Sequence, residues 1–223
     1  MRSAPNRRHA IVALTSFVVA LGLSVSILLM PWFTYLVVPA SGATELTGFS
    51  EARVREVAEE VRYFISHSDA PALPAVVDGT PGFDSSSVSH LEDVRDVVIG
   101  ARWATLIAML ILGVVAAEAL SRGELMGVSG GLRTAGWSTL GVVVLAALAG
   151  TLDFDALFSA FHGVFFKAGT WTFPADALLI RVFPLPFWST AAVAWAALSL
   201  LLAAMLITAG FVGRRVARGM PTK

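Results

Sequence analysis

The chain has 223 residues, of which 56% are hydrophobic and 14% charged, with Lys plus Arg equal in number to Asp plus Glu and no cysteine at all. That composition excludes an ordinary water-soluble globule and leaves no basic excess for a nucleic-acid partner. Without cysteine there is no disulfide bracing, no thiolate metal ligand and no acyl-thioester intermediate on the protein.

The apolar residues fall in four long runs, at about 10–29, 102–120, 134–150 and 188–212. Each is close to the ~20 residues a helix needs to cross a ~30 Å hydrocarbon core. Only helices and closed barrels satisfy the backbone in lipid, and these runs far exceed barrel strands of ~10 alternating residues. The expected fold class is therefore an all-α membrane protein of four transmembrane helices. Residues 1–223 form a single membrane domain in this reading, with 31–101 and 151–187 making an extracytoplasmic helical cap over the bundle mouth.

Orientation follows from charge. Residues 1–9, 118–133 and 214–223 together hold nine Lys or Arg, from Arg2 to Lys223, against only Glu118 and Glu124. The rest of the chain is acidic by the same margin, so a net charge of zero hides a strong asymmetry. The positive-inside rule then places both termini and the 121–133 loop in the cytoplasm and both long loops outside. A cleavable signal peptide is the competing reading, because Arg7-Arg8 precede the first run and Pro39-Ala40-Ser41-Gly42-Ala43 is small enough to cut. The run is longer than the ~7–15 residues of a signal h-region, which favours a retained span.

In the first outer loop, Ser50 is placed to cap a helix whose apolar residues recur at Val54, Val57, Val61, Phe64 and Ile65. Its other face, with Glu51, Arg53, Arg55, Glu56, Glu59, Glu60 and Arg62, reads as solvated. His67 follows, where it eases the C-terminal helix dipole. Residues 68–87 are rich in Pro, Gly, Asp and Ser without periodicity and read as a mobile connector or lid. Ser89-x-x-Glu92 forms a capping box, which predicts a helix running on through Arg102 and Trp103 into the second span. His90 then sits in the first turn, and Asp93, three residues on, shares its face and can orient or charge the imidazole. The plainer reading makes His90 part of the cap surface and Asp93 a favourable first-turn charge.

In the second outer loop, Asp153 caps a predicted helix whose stripe is Phe154, Leu157, Phe158, Phe161, His162 and Phe165. His162 is either a satisfied core residue or a functional ring held at the membrane boundary beside His90. Trp32, Phe33, Tyr35, Trp103, Trp171, Phe173, Phe183, Phe187 and Trp188 crowd the same level. An interfacial aromatic belt accounts for the rings at span ends. A cavity for acyl chains accounts better for the Phe-rich helix. Two separated histidines without a third ligand make no zinc site. Gly127-Val128-Ser129-Gly130-Gly131 fits the hydrolase pattern G-x-S-x-G, but no strand precedes it and every candidate histidine lies across the membrane. His9 belongs to the cytoplasmic flank.

Three blocks in order, His90-Leu91-Glu92-Asp93-Val94-Arg95-Asp96-Val97, Phe161-His162-Gly163-Val164-Phe165-Phe166 and Trp171-x4-Asp176-x-Leu178-x5-Pro184-x2-Phe187, resemble the lipoprotein intramolecular transacylase family, Lit. With four spans and an outer cap, the resemblance covers nearly the whole chain. It departs after the Phe-Phe pair, where this chain has Lys167-Ala168-Gly169-Thr170. The resemblance implies a bacterial enzyme of the cytoplasmic membrane with its site at the outer leaflet. The substrate would be a diacylated lipoprotein held among membrane lipid, and one ester-linked chain would move to the N-terminal cysteine amine. It also implies that His90 and His162 are catalytic, with Asp93, Phe158, Phe161, Phe165, Trp171 and Asp176 supporting them or binding substrate.

Such aminolysis needs a neutral amine, a proton acceptor and a donor to the oxyanion, roles that imidazoles fill. No metal or soluble cofactor enters that scheme. The reading from another class is a non-catalytic scaffold whose cap is a partner surface. An ion pathway would need polar residues at mid-membrane, which the four runs lack.

Overall fold

The computed structural model describes residues 4–219. Arg2 and Lys223, counted in the charge asymmetry, lie outside the described residues. In chain order the elements are α1 (Ala4–Leu28), α2 (Pro31–Ala40), α3 (Ala43–Thr47), α4 (Glu51–Ser66), β1 (Val76–Val77), β2 (Thr80–Pro81), α5 (Ser85–Ser121), α6 (Leu125–Leu152), α7 (Phe154–Phe165), α8 (Leu178–Val182) and α9 (Leu185–Gly219). Among the described residues, four helices are long and apolar enough to cross a membrane: Arg7–Leu28 of α1, α5, α6 and α9. The protein is thus a helical membrane protein with four spans. Three of those helices exceed the apolar runs read from sequence. α5 has 37 residues and α9 has 35, about 50–55 Å at ~1.5 Å per residue, more than a bilayer core requires.

The chain forms two compact units, Met1–Val25 with Arg102–Leu148 and Trp195–Lys223, and Ser26–Ala101 with Ala149–Ala194. In the first, Val12, Ala119 and Val128 are buried together, while Leu106, Leu110, Val114, Leu145, Leu201 and Met205 are exposed, as lipid-facing residues are. Close approach here depends on small residues. A Cβ on Gly136 would lie 2.5 Å from Ile207 Cγ1 and 2.8 Å from the Ala203 carbonyl oxygen, so α6 and α9 touch through backbone at this point. The Ser199 hydroxyl donates to Ser24 Oγ at 3.0 Å, and Ser24 donates in turn to the Leu21 carbonyl, which satisfies two buried hydroxyls without a charge.

The hydrolase-like glycine motif belongs to this packing. Gly127 to Gly131 lie inside α6, which begins nine residues earlier than the 134–150 run. A Cβ on Gly130 would meet the His9 ring at 2.6 Å, and one on Gly131 would meet Val12 at 2.7 Å. Ser129 is buried in mid-helix, not on a strand-to-helix elbow. His9 itself is hydrogen-bonded through Nε2 to Thr134 Oγ1 at 3.1 Å.

The second unit is built around α4. Ser50 accepts from the Arg53 N–H as the predicted cap, and Val54, Val57, Val61 and Phe64 are buried. They meet Phe33 and Val38 of α2, Leu178 and Val182 of α8, and Phe183 and Phe187. Arg62 departs from the solvated face assigned to it. It is 8% exposed, donates from Nη1 to the Leu29 carbonyl at 3.0 Å and pairs with Glu59. A guanidinium can be buried in this way because each of its three nitrogens donates to an acceptor.

The 68–87 segment is ordered rather than a lid. Asp78 and Gly79, with φ of 48° and 77°, make the left-handed two-residue turn that matches the twist of a hairpin, and Val76–Pro81 and Val77–Thr80 pair across it. Leu73, Val77 and Phe83 are buried in the α4 core, and Arg53 ties the turn down through Asp78. The start of α5 also differs from expectation. The Asp84 carboxylate accepts the Ser87 N–H at 2.8 Å, so the cap lies at Asp84 and Ser89 falls in the second turn.

Candidate active site

Both histidines predicted to act together lie in the second unit, and their rings meet. The ring centres of His90, on α5, and His162, on α7, are 6.1 Å apart with 29° between planes, and each residue is 7% exposed. α7 starts where the sequence says it should, with the Asp153 carboxylate accepting the Ala156 N–H at 2.9 Å. From that start, position 162 points inward.

Aromatic rings enclose the pair. Phe158 lies 4.0 Å and Trp171 4.9 Å from His162, and Phe161 stands edge-on to it at 5.6 Å. Phe166 and Phe173 lie 5.0 and 5.5 Å from His90. Phe166 also touches His162, so it bridges the two. From sequence, Phe166 stands only within the family block and Phe173 only among the boundary aromatics, neither as a neighbour of His90. Phe166 sits one residue beyond α7, outside the helical stripe, and its N–H bonds the His162 carbonyl at 2.8 Å. Phe173 follows in an irregular segment where periodicity carries no signal.

The other expected residues divide. Phe165 reaches Phe161 and Phe166 rather than a histidine, and with Phe161 and Val164 it forms an exposed apolar face of α7. Asp93 is exposed and acts on His90 only through space. Asp176 is exposed in the Pro174–Ala177 turn, and no contact joins it to either histidine among the described residues. Its neighbour Arg181 braces α8 by donating to the Thr47 carbonyl at 3.4 Å. His67 stacks on Tyr63 at 4.0 Å and bonds the Tyr63 carbonyl, a helix-end role.

The hydrogen bonds assign chemistry to the rings. His162 Nδ1 lies 2.8 Å from the Phe158 carbonyl oxygen. A carbonyl only accepts, so Nδ1 carries the proton and the neutral ring keeps its lone pair on Nε2. His90 Nδ1, by contrast, is buried with no protein partner, as is the indole Nε1 of Trp171. His90 lies twelve residues ahead of Arg102, ~18 Å of helix before the apolar run begins. Burial, with the neighbouring His162 ring adding to it and Asp93 opposing, lowers its pKa to about 4. Burial likewise lowers that of His162, against the Phe158 carbonyl bond. Both imidazoles are therefore neutral at neutral pH.

Four helices long and apolar enough to cross a membrane, and in the second unit a buried pair of neutral imidazoles among aromatic rings, define a helical membrane protein with a candidate acid–base site. The sequence profile of the lipoprotein intramolecular transacylase family matches residues 10–188, and the chain belongs to that family of acyltransferases. The structure of Lit from Bacillus cereus is similar, with a TM-score of 0.82, 14% identity and coverage of 97% of this chain and 98% of that one. A histidine-substituted variant of the same protein gives 0.75 at 14% identity, covering 96% and 93%. An uncharacterised protein of Aquifex aeolicus (strain VF5) is 23% identical over 141 residues. That match spans 63% of this chain and 62% of the length of the Aquifex protein.

Proposed function

We propose that the protein moves one acyl chain within a diacylated lipoprotein, from an ester of the diacylglyceryl group to the N-terminal cysteine amine. The observation that carries this reading is the His90–His162 pair, in ring contact inside the aromatic cluster, in a chain of this family. The substrate amine, once neutral, attacks the ester carbonyl carbon. As the C–N bond forms, the carbonyl electron pair moves onto oxygen. His162 Nε2, with its lone pair held free by the Phe158 bond, takes the proton from the attacking nitrogen. When the C–O bond breaks, the same proton passes to the departing glyceryl oxygen, so the cycle balances on one base. His90 faces the same reacting group and donates its ring N–H to the oxyanion. Each role is worth about 10²-fold or more. Holding amine and ester of one molecule in contact supplies the rest of the acceleration.

The setting supports the same reading. Phe161, Val164 and Phe165 offer lipid an apolar face beside the site. The cationic residues among the described ones include Arg7, Arg8, Arg122, Arg133, Arg214, Arg215 and Arg218, at the chain ends, the α5–α6 turn and the early turns of α6. By the positive-inside rule those parts are cytoplasmic and the histidines work at the outer leaflet. The test is reconstitution in vesicles with a synthetic diacylated lipopeptide. Wild-type protein yields an N-acyl, S-monoacylglyceryl product, and His90→Ala and His162→Ala do not. Conversion by both variants at the wild-type rate would overturn the assignment.

A further inference from the structure

We propose that Trp171 is an oxyanion donor of this site, its indole Nε1–H holding the carbonyl oxygen of the reacting ester as negative charge develops there. This deepens the transacylase reading and rests on it. Buried indole N–H groups normally find an acceptor, and even the more exposed Trp188 donates to the Phe183 carbonyl at 2.9 Å. Trp171 does not: its Nε1 is buried without a protein partner, although its ring is packed 4.9 Å from His162 at a 34° tilt. A buried donor without an acceptor, packed against the ring that receives the nucleophile's proton, is the arrangement a transient acceptor would complete.

The backbone holds the indole there by a specific device. Residues 167–170 form a turn in which the Thr170 N–H and hydroxyl both bond the Lys167 carbonyl, at 3.2 and 2.9 Å. Gly169 supplies the left-handed φ of 86° that the turn needs. Trp171 leaves this turn directly. Its donor is neutral and does not titrate, so it adds no charge to the cluster of apolar rings. No bond of Trp171 is made or broken. The ester electron pair moves onto oxygen as the C–N bond forms and returns as the C–O bond breaks, and the indole hydrogen bond tightens and relaxes with it.

The test compares full-length wild-type protein with Trp171→Phe, which keeps a ring but loses the donor, in vesicles with the lipopeptide. A second ligand replaces the reacting ester by an anionic phosphonate, whose P–O⁻ occupies the oxyanion position. Trp171→Phe should lose about 10²–10³-fold in kcat, with KM and the pH profile unmoved, and should bind the phosphonate at least ~10-fold more weakly. In wild-type protein the indole N–H resonance assigned by its loss in Trp171→Phe or Trp171→Tyr should shift on phosphonate binding, a readout that needs no folded variant to be active. Trp171→Phe with kcat and phosphonate affinity near wild type, or an indole resonance that does not move, would overturn the role of Trp171 while the transacylase reading stands. Wild-type protein that neither converts the lipopeptide nor binds the phosphonate would overturn both.

Discussion

Acidifying the reaction should separate buried histidines from ordinary ones. The pKa of His90 is lowered to about 4, against an unperturbed value of about 6.5. Because the folded value is depressed, the neutral ring persists as pH falls and is lost only below about 4. At pH 5.5 an ordinary imidazole is about 9% neutral, whereas one with a pKa of about 4 is about 97% neutral, a difference of about 10-fold in the neutral ring. Burial lowers the pKa of the base, His162, in the same direction. The substrate α-amine, with a pKa of ~8, imposes its own loss of rate. The logarithm of single-turnover transacylation should therefore fall with unit slope below about pH 7.5 and steepen only where His162 takes up its proton, below the ordinary imidazole value. Phe158→Ala, which uncovers the His162 ring, should move the steepening toward neutral pH. A break near pH 6.5 in the wild type would refute the claim that burial keeps the pair neutral.

Arg62→Ala removes the donor to the Leu29 carbonyl and the buried partner of the half-exposed Glu59, and should cost about 1–3 kcal/mol, read as a lower thermal midpoint in detergent with the kcat of the folded fraction unchanged. Ser129→Ala should leave transacylation at the wild-type rate, because Ser129 is a helix-packing residue of α6 and no nucleophile; loss of turnover in a folded Ser129→Ala protein would contradict that.

The four spans were legible because crossing lipid fixes helix length and composition more strictly than any local propensity does. The two shorter helices with a clear N-cap and a 3.6-residue stripe, α4 and α7, were legible for the same reason at smaller scale. The hairpin at 76–81 was not. Its strands are two residues each, and its order comes from Leu73, Val77 and Phe83 reaching a core distant in sequence. The capping box at Ser89 misled because Asp84, a stronger cap upstream, had already started the helix. At the site, the histidines and the helical stripe could be read. The contacts of Phe166 and Phe173 with His90 and the tautomer of His162 could not, because a ring past a helix end and a hydrogen bond to a backbone carbonyl leave no periodic trace.

The central claim is that the acyl chain moves within one lipoprotein molecule by way of the histidine pair. An isotope crossover tests it most directly: two diacylated lipopeptides, one with deuterated acyl chains and one with a heavier peptide, are mixed with the reconstituted protein, and the N-acylated products are weighed by mass spectrometry. Deuterated chains should stay on their own peptide and light chains on the other, with no product at all from His162→Ala. Scrambled chains, or product formed equally by His162→Ala, would contradict it.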